Sequence, residues 1–135
     1  MPIDIKWLDD LETIFCYKVI FPWSLDDVYN ALNQGDVAAE QGNVPVAIVF
    51  DVKEAGMIPR SFMTVMRELR EHRNPDIQLR VFVGPNRIIR LVYDLANRAF
   101  PDLLEGMVIK ETIQEAYDYI VENSTGDIGK LTADD

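Results

Sequence analysis

The chain opens with IDIKW at residues 3–7, where Ile3, Ile5 and Trp7 alternate with polar side chains and share one side of a strand. Asp9 and Asp10 interrupt the pattern, and ETIFCYKVIF then resumes as a β-branched and aromatic run. Two strands separated by so few polar residues predict a hairpin. Pro22 stops the second strand. Beyond it the period changes. Leu25, Val28, Tyr29 and Leu32 recur at helical spacing, with Ser24 as N-cap and Asp27 three positions on. This helix is expected to fade near Gly35 or soon after, and AAEQGNVP reads equally as a frayed extension or a loop. VPVAIVFD is nearly continuous in apolar residues, as expected of a strand in the buried middle of a sheet.

The alternation continues to the end. Ser61 can cap a helix with Phe62, Val65, Met66 and Leu69 on its packed face. NPD marks a turn, and IQLRVFVG is the next strand. Gly84, Pro85 and Asn86 lead into a helix whose apolar face is read as Ile88, Leu91, Val92, Leu95 and Ala99, ended by Pro101. GMVIK is a short edge strand, and Thr112 with Glu115 opens a final helix carrying Ile113, Ala116, Tyr117 and Ile120. The order β-β-α-β-α-β-α-β-α predicts an α/β fold with a mixed, mostly parallel sheet after an N-terminal hairpin. Residues 1–122 form one domain in this reading. From Asn123 onward, NSTGDIGKLTADD lacks a period and reads as a mobile tail over 123–135.

Composition narrows the function classes. The chain has 135 residues and a net charge of −10, which argues against a nucleic-acid partner and against docking on anionic lipid. Its longest apolar runs are too short to span a bilayer, so no membrane insertion is expected. MPIDIKW has no secretory pattern, and cytoplasmic residence is the default. Cys16, alone of its kind, sits in an apolar strand and reads as a buried thiol. With one cysteine and one histidine, His72, no zinc site of soft ligands is expected, and no cofactor is assigned.

Candidate chemistry collects beyond the carboxyl ends of the strands, in Asp51 to Ser61 and Gly84 to Arg87. Arg60 and Ser61 stand at one helix start, and Gly84, Asn86, Arg87 and Arg90 at another. Such groups could hold a small anion, or they are ordinary caps with solvent arginines. Met57 and Ile58 are apolar in a loop. They cover the end of the sheet, form a contact surface with Phe21 and Trp23, or rim a crevice for an apolar ligand. Asp9, Asp10, Asp51 and Lys110 loosely match a phosphoacceptor arrangement, but the hairpin carries the first two acids away from Asp51. No nucleophile, base and orienting acid fall together, so no catalytic residue is assigned.

The segments IKWLDDLETIFCYKVIFPWSLDDVYNAL, VAIVFDVKEAGMIPRSF, VFVGPNRIIRLV and ETIQEAYDYI resemble the STAS/SpoIIAA-like superfamily, in its broad bacterial branch, from about Ile3 to Glu122. That resemblance implies a small α/β domain with a regulatory or partner-binding role. Its best-known members are anti-anti-sigma factors, switched by phosphorylation of a serine in an Asp-Ser-Ser-Gly motif. Here that stretch reads Pro59-Arg60-Ser61-Phe62, with Ser61 at the phosphorylated position. The reading is therefore a non-catalytic regulatory or binding domain that engages a protein partner or a small anionic or apolar ligand through its strand-end loops. The alternatives are a phosphoswitch at Ser61, a receiver-like phosphoacceptor or other small enzyme, and a homodimer joined through Phe21, Trp23 and an edge strand.

Overall fold

Strands that alternate in sequence sort their side chains to two faces of a sheet, and here the two faces differ in kind. A computed structural model describes residues 2–40, 45–57, 62–71, 77, 79–99, 101–102 and 106–132, with side chains at 38–40, 62 and 69 excepted. Its strands are β1 (Ile3–Trp7), β2 (Ile14–Ile20), β3 (Ala47–Glu54), β4 (Leu79–Val83) and β5 (Met107–Lys110). The helices are α1 (Leu25–Glu40), α2 (Phe62–Glu71), α3 (Arg87–Ala99) and α4 (Ile113–Asn123). The strands lie side by side in chain order, β1 antiparallel to β2 and every later pair parallel. This is a mixed α/β sheet, with the hairpin at one edge and β5 at the other.

One face carries small apolar side chains. Cys16 pairs with Val49 and Val49 with Val81, and all three have no solvent exposure. Ile113, Ala116 and Ile120 of α4 close over them, with Leu8, Ile14, Ala47 and Val83 in the same cluster. Short β-branched side chains let the helix approach closely, and the face is sealed. The opposite face is aromatic. Trp7, Phe15, Tyr17, Phe50 and Phe82 form a row across four strands, each ring 4.8 to 5.7 Å from the next, and Tyr93 of α3 continues it edge-on. Val28, Ala31 and Leu32 of α1 and Val65 of α2 cover the β1–β2 end of this row.

α1 continues through Gly35 to Glu40, the extension that the sequence left open. Glycine weakens a helix interior, yet Gly35 is placed where Tyr17 approaches: a Cβ here would lie 2.0 Å from the Tyr17 hydroxyl oxygen. Close packing on the sheet outweighs the local propensity. Of the caps expected from sequence, that of Ser61 lies outside the described residues and the other two form: Asp27 N–H donates to Ser24 Oγ at 3.3 Å, and Glu115 N–H to Thr112 Oγ1 at 3.1 Å.

Residues 124–132, part of the stretch read from sequence as a tail, make contacts with the loop after β1. The Asp9 carboxylate, 3% exposed, accepts from the N–H groups of Thr13 and Ile14 and from the Thr13 hydroxyl. Across the chain it also accepts from Gly129 N–H at 2.9 Å. Lys130 N–H donates to Asp10 Oδ1 and Thr132 N–H to Leu8 O, while Ile128 and Leu131 pack on the sealed core. The polar break after β1 is thus the anchor of the C-terminal segment. Composition misses this because the ties run to backbone N–H groups that any sequence carries.

Burial pushes the Asp9 carboxyl upward, but the Thr13 hydroxyl and the Ile14, Thr13 and Gly129 N–H groups outweigh it and hold the carboxyl below its ordinary range. A depressed folded value means stabilisation present above the unfolded pKa and lost as pH falls through the folded one. Asp9→Ala is expected to cost about 2–4 kcal/mol, since hydrogen bonds to a charged group contribute about 1.5–3 kcal/mol each and do not add fully. It should also flatten the loss of stability below about pH 4, an unfolding curve unchanged in acid being the contrary result. Gly35→Ala, which ordinarily gains about 0.5–1 kcal/mol in a helix, is expected to lose about 1–2 kcal/mol in urea denaturation because the added methyl overpacks Tyr17.

Candidate functional site

Parallel pairing of Asp51 with Val83 sends β3 and β4 out of the sheet at the same end. The loops that follow meet there. Asn86 Nδ2 donates to Gly56 O at 3.0 Å, while Asn86 Oδ1 accepts from Ile89 N–H at 2.9 Å and so caps α3. Both loops turn through a left-handed glycine, and each turn is occupied. The ring of Phe21 lies against Gly56, at φ 64°, and the aliphatic stem of Lys53 crosses Gly84, at φ 65°. A side chain at either position would collide and strain the backbone. Gly84 N–H donates to Lys110 O at 2.8 Å, which brings the end of β5 to the same rim.

Several charges of this rim are held by the chain itself. Lys53 Nζ lies 3.7 Å from Asp51 Oδ2, Lys18 bridges Glu54 at 3.0 Å, and Arg90 pairs with Glu111. Of the residues predicted to receive an anion, Asn86 spends its amide on the cap and on Gly56, and Arg90 is engaged by Glu111. Arg87 is exposed at the first turn of α3. Ile58, Arg60 and Ser61 lie outside the described residues, as does His72.

Beside these polar groups the rim also presents apolar side chains to solvent. Met57 is 70% exposed and Phe21 51%. Trp23 is half-buried, and its Nε1–H donates inward to Ala55 O at 2.8 Å. α3 is also turned from its expected orientation. Ile88, Leu91 and Leu95, read from sequence as packed, are 57%, 59% and 54% exposed, and Ala99 is exposed too. Ile89, Val92, Tyr93 and Ala96 face the protein instead. The helix is apolar along two stripes, so spacing alone does not choose between them. The choice falls to Tyr93, whose ring meets Phe82 and whose hydroxyl donates to Met107 O at 3.3 Å. No signal local to α3 marks this; the partners of Tyr93 lie on other strands.

The phosphoacceptor arrangement does not assemble. Asp9 sits at the hairpin turn beside Ile14, which pairs with Ala47 at the start of β3. Asp51 is four residues further along β3, on the order of 13 Å away at 3.3 Å per residue. Lys110 faces α4, its Nζ 5.2 Å from the Tyr119 ring centroid. Cys16 is fully buried, and burial first, with the Asp51 carboxylate second, pushes its thiol up to about 12.

The fold has a solved counterpart, the structure of the Bacillus cell fate determinant SpoIIAA in the phosphorylated form. The two agree with a TM-score of 0.57 over 87% of this chain and 98% of that one, at 16% sequence identity. At that identity the likeness is one of fold. No family model matches the chain, and no curated protein matches it either.

A buried thiol raised this far is expected to stay unreacted with a disulfide reagent such as dithionitrobenzoate at pH 8, and to react at once in denaturant. Rapid labelling of Cys16 in the folded chain would contradict its placement.

Proposed function

We propose that this chain is a regulatory, non-catalytic binding domain that engages a protein partner through the strand-end rim and the outer stripe of α3. One observation carries the reading. Met57, Ile88, Leu91 and Leu95 are each more than half exposed, and the Asn86–Gly56 hydrogen bond joins the loop holding Met57 to the start of α3. A run of large apolar side chains facing water is characteristic of an interaction surface. Its charge points to the partner's chemistry. The chain is at −10 overall, yet with Arg90 paired to Glu111 α3 still carries Arg87 and Arg98 against Asp94. A partner with an apolar stripe and acidic flanks fits this local reversal of sign.

Two features support a binding role over catalysis. The buried acid Asp9 is committed to four donors, and the thiol of Cys16 is sealed and unreactive in character. The fold likeness to a cell fate determinant is in keeping with a regulatory role. A second reading, a phosphoswitch at Ser61, is favoured by that likeness to a protein solved in its phosphorylated form and by the place of Ser61 immediately before α2. It would add charge at a helix start, where Arg60 is the adjacent residue.

The test is capture of partners from the native cell with the wild-type chain and with Leu91→Asp/Leu95→Asp, both checked for folding by circular dichroism. Removing an interface anchor costs about 2 kcal/mol or more, roughly 30-fold in affinity. A partner retained by the wild type and lost from the variant is the expected result, with Arg87→Glu weakening the same partner. Identical captured proteins on both baits would count against the α3 surface. Intact-mass measurement of the native protein tests the second reading, which an unphosphorylated Ser61 in every growth state would remove.

A further inference from the structure

The aromatic face of the sheet is incompletely covered. Phe50 and Phe82 sit on the two central strands yet are only half-buried, while Val49 and Val81, their neighbours on the sealed face, have no exposure at all. Both rings line a cavity of about 100 Å³ between the sheet and α1, α2 and α3. Tyr17, Phe50 and Phe82 floor it, and Val65, Ile89 and Tyr93 form its helical side. Ala55 and Pro85 line it where β3 and β4 leave the sheet, so it reaches the underside of the rim.

The polar atoms borne by its lining side chains are already directed elsewhere. Tyr93 donates to Met107 O, Trp23 Nε1–H donates to Ala55 O, and the hydroxyl of Tyr17 points at Gly35 in α1. No charged side chain of the described residues lines the space. A polar or ionised guest would give up water without recovering its hydrogen bonds, whereas an apolar guest leaves water for a wall of rings and methyl groups. The scale limits the guest: at about 100 Å³ the space is smaller than the apolar cavity of about 150 Å³ that admits benzene, so one ring is the upper bound. We propose that this cavity is a binding site for an uncharged hydrocarbon group of about one-ring size, either a free aromatic molecule or the end of an alkyl chain. The proposal is independent of the partner surface on α3.

Methyl-labelled full-length protein, followed by carbon–proton correlation NMR, tests it with two probes. Benzene represents the free ring, and octanoate the chain end, its carboxylate remaining in water. The expected result is saturable shifts at the methyls of Val65, Ile89 and Ile109 with at least one probe, and stationary signals from Val49, Val81 and Ile120. Benzene alone identifies a ring site, octanoate alone a chain-end site. Val65→Phe fills the space and should weaken binding at least tenfold. Should that variant not fold, Val28→Leu serves as the milder filling and should weaken it measurably. Arg87→Glu should leave the isotherm unchanged, which separates this site from the partner surface. No saturable shift with either probe up to its solubility limit overturns the proposal. So do equal shifts on both faces, or wild-type binding by a folded filled variant.

Discussion

The contact between Cys16, Val49 and Val81, side by side on three parallel strands and closed by α4, is the constraint on which the rest depends. Small side chains allow α4 to lie directly on the sheet, and their burial fixes the registers of β2, β3 and β4 together, since a one-residue slip would turn each strand inside out. Those registers decide where the loops go. With Asp51 opposite Val83, the exits of β3 and β4 fall at one end, and Gly56 and Asn86 come within hydrogen-bonding distance. They also decide what the other face must be. Once the small residues are committed to α4, the rings alternate to the opposite side, where three helices cover them loosely.

The division of labour follows from that asymmetry. At the hairpin end, Asp9 gathers the start of β2 and the C-terminal segment into a tight polar knot, and α4 lies between them on the sealed core. At the strand-exit end, ion pairs and caps satisfy much of the chain's own polarity and leave Met57 and the outer stripe of α3 facing water. One pole is organised for stability and the other for contact. The same difference accounts for why α3 shows apolar residues on both sides: one stripe meets Phe82 through Tyr93, and the other has no covering element among the described residues.

The order of elements was legible because strand and helix periods switch cleanly, and the central place of β3 was legible because AIVF has no polar interruption. Three things were not. The rotation of α3 depends on Tyr93 finding a carbonyl on β5, which no local pattern encodes. The persistence of α1 through Gly35 depends on where the Tyr17 hydroxyl lands. The ordering of residues 124–132 depends on a carboxylate 120 residues earlier in the chain. A further signal lies across the strands: Phe15, Tyr17, Phe50 and Phe82 alternate with Cys16, Val49 and Val81, which separates a ring-lined face from a methyl-lined one. For the site, the shared rim was foreseen from topology, whereas the commitment of Asn86 and Arg90 to internal partners required side-chain geometry.

The unequal faces of the sheet are tested most directly by the relaxation that a neutral, freely diffusing nitroxide imposes on methyl protons. The account requires strong broadening at Ile89 and Ile109, beside the half-exposed rings, and none above background at Val49, Val81 and Ile120 beneath α4. Equal protection of both sets would mean that α1, α2 and α3 close on the sheet as tightly as α4 does, and the asymmetry argued here would not exist.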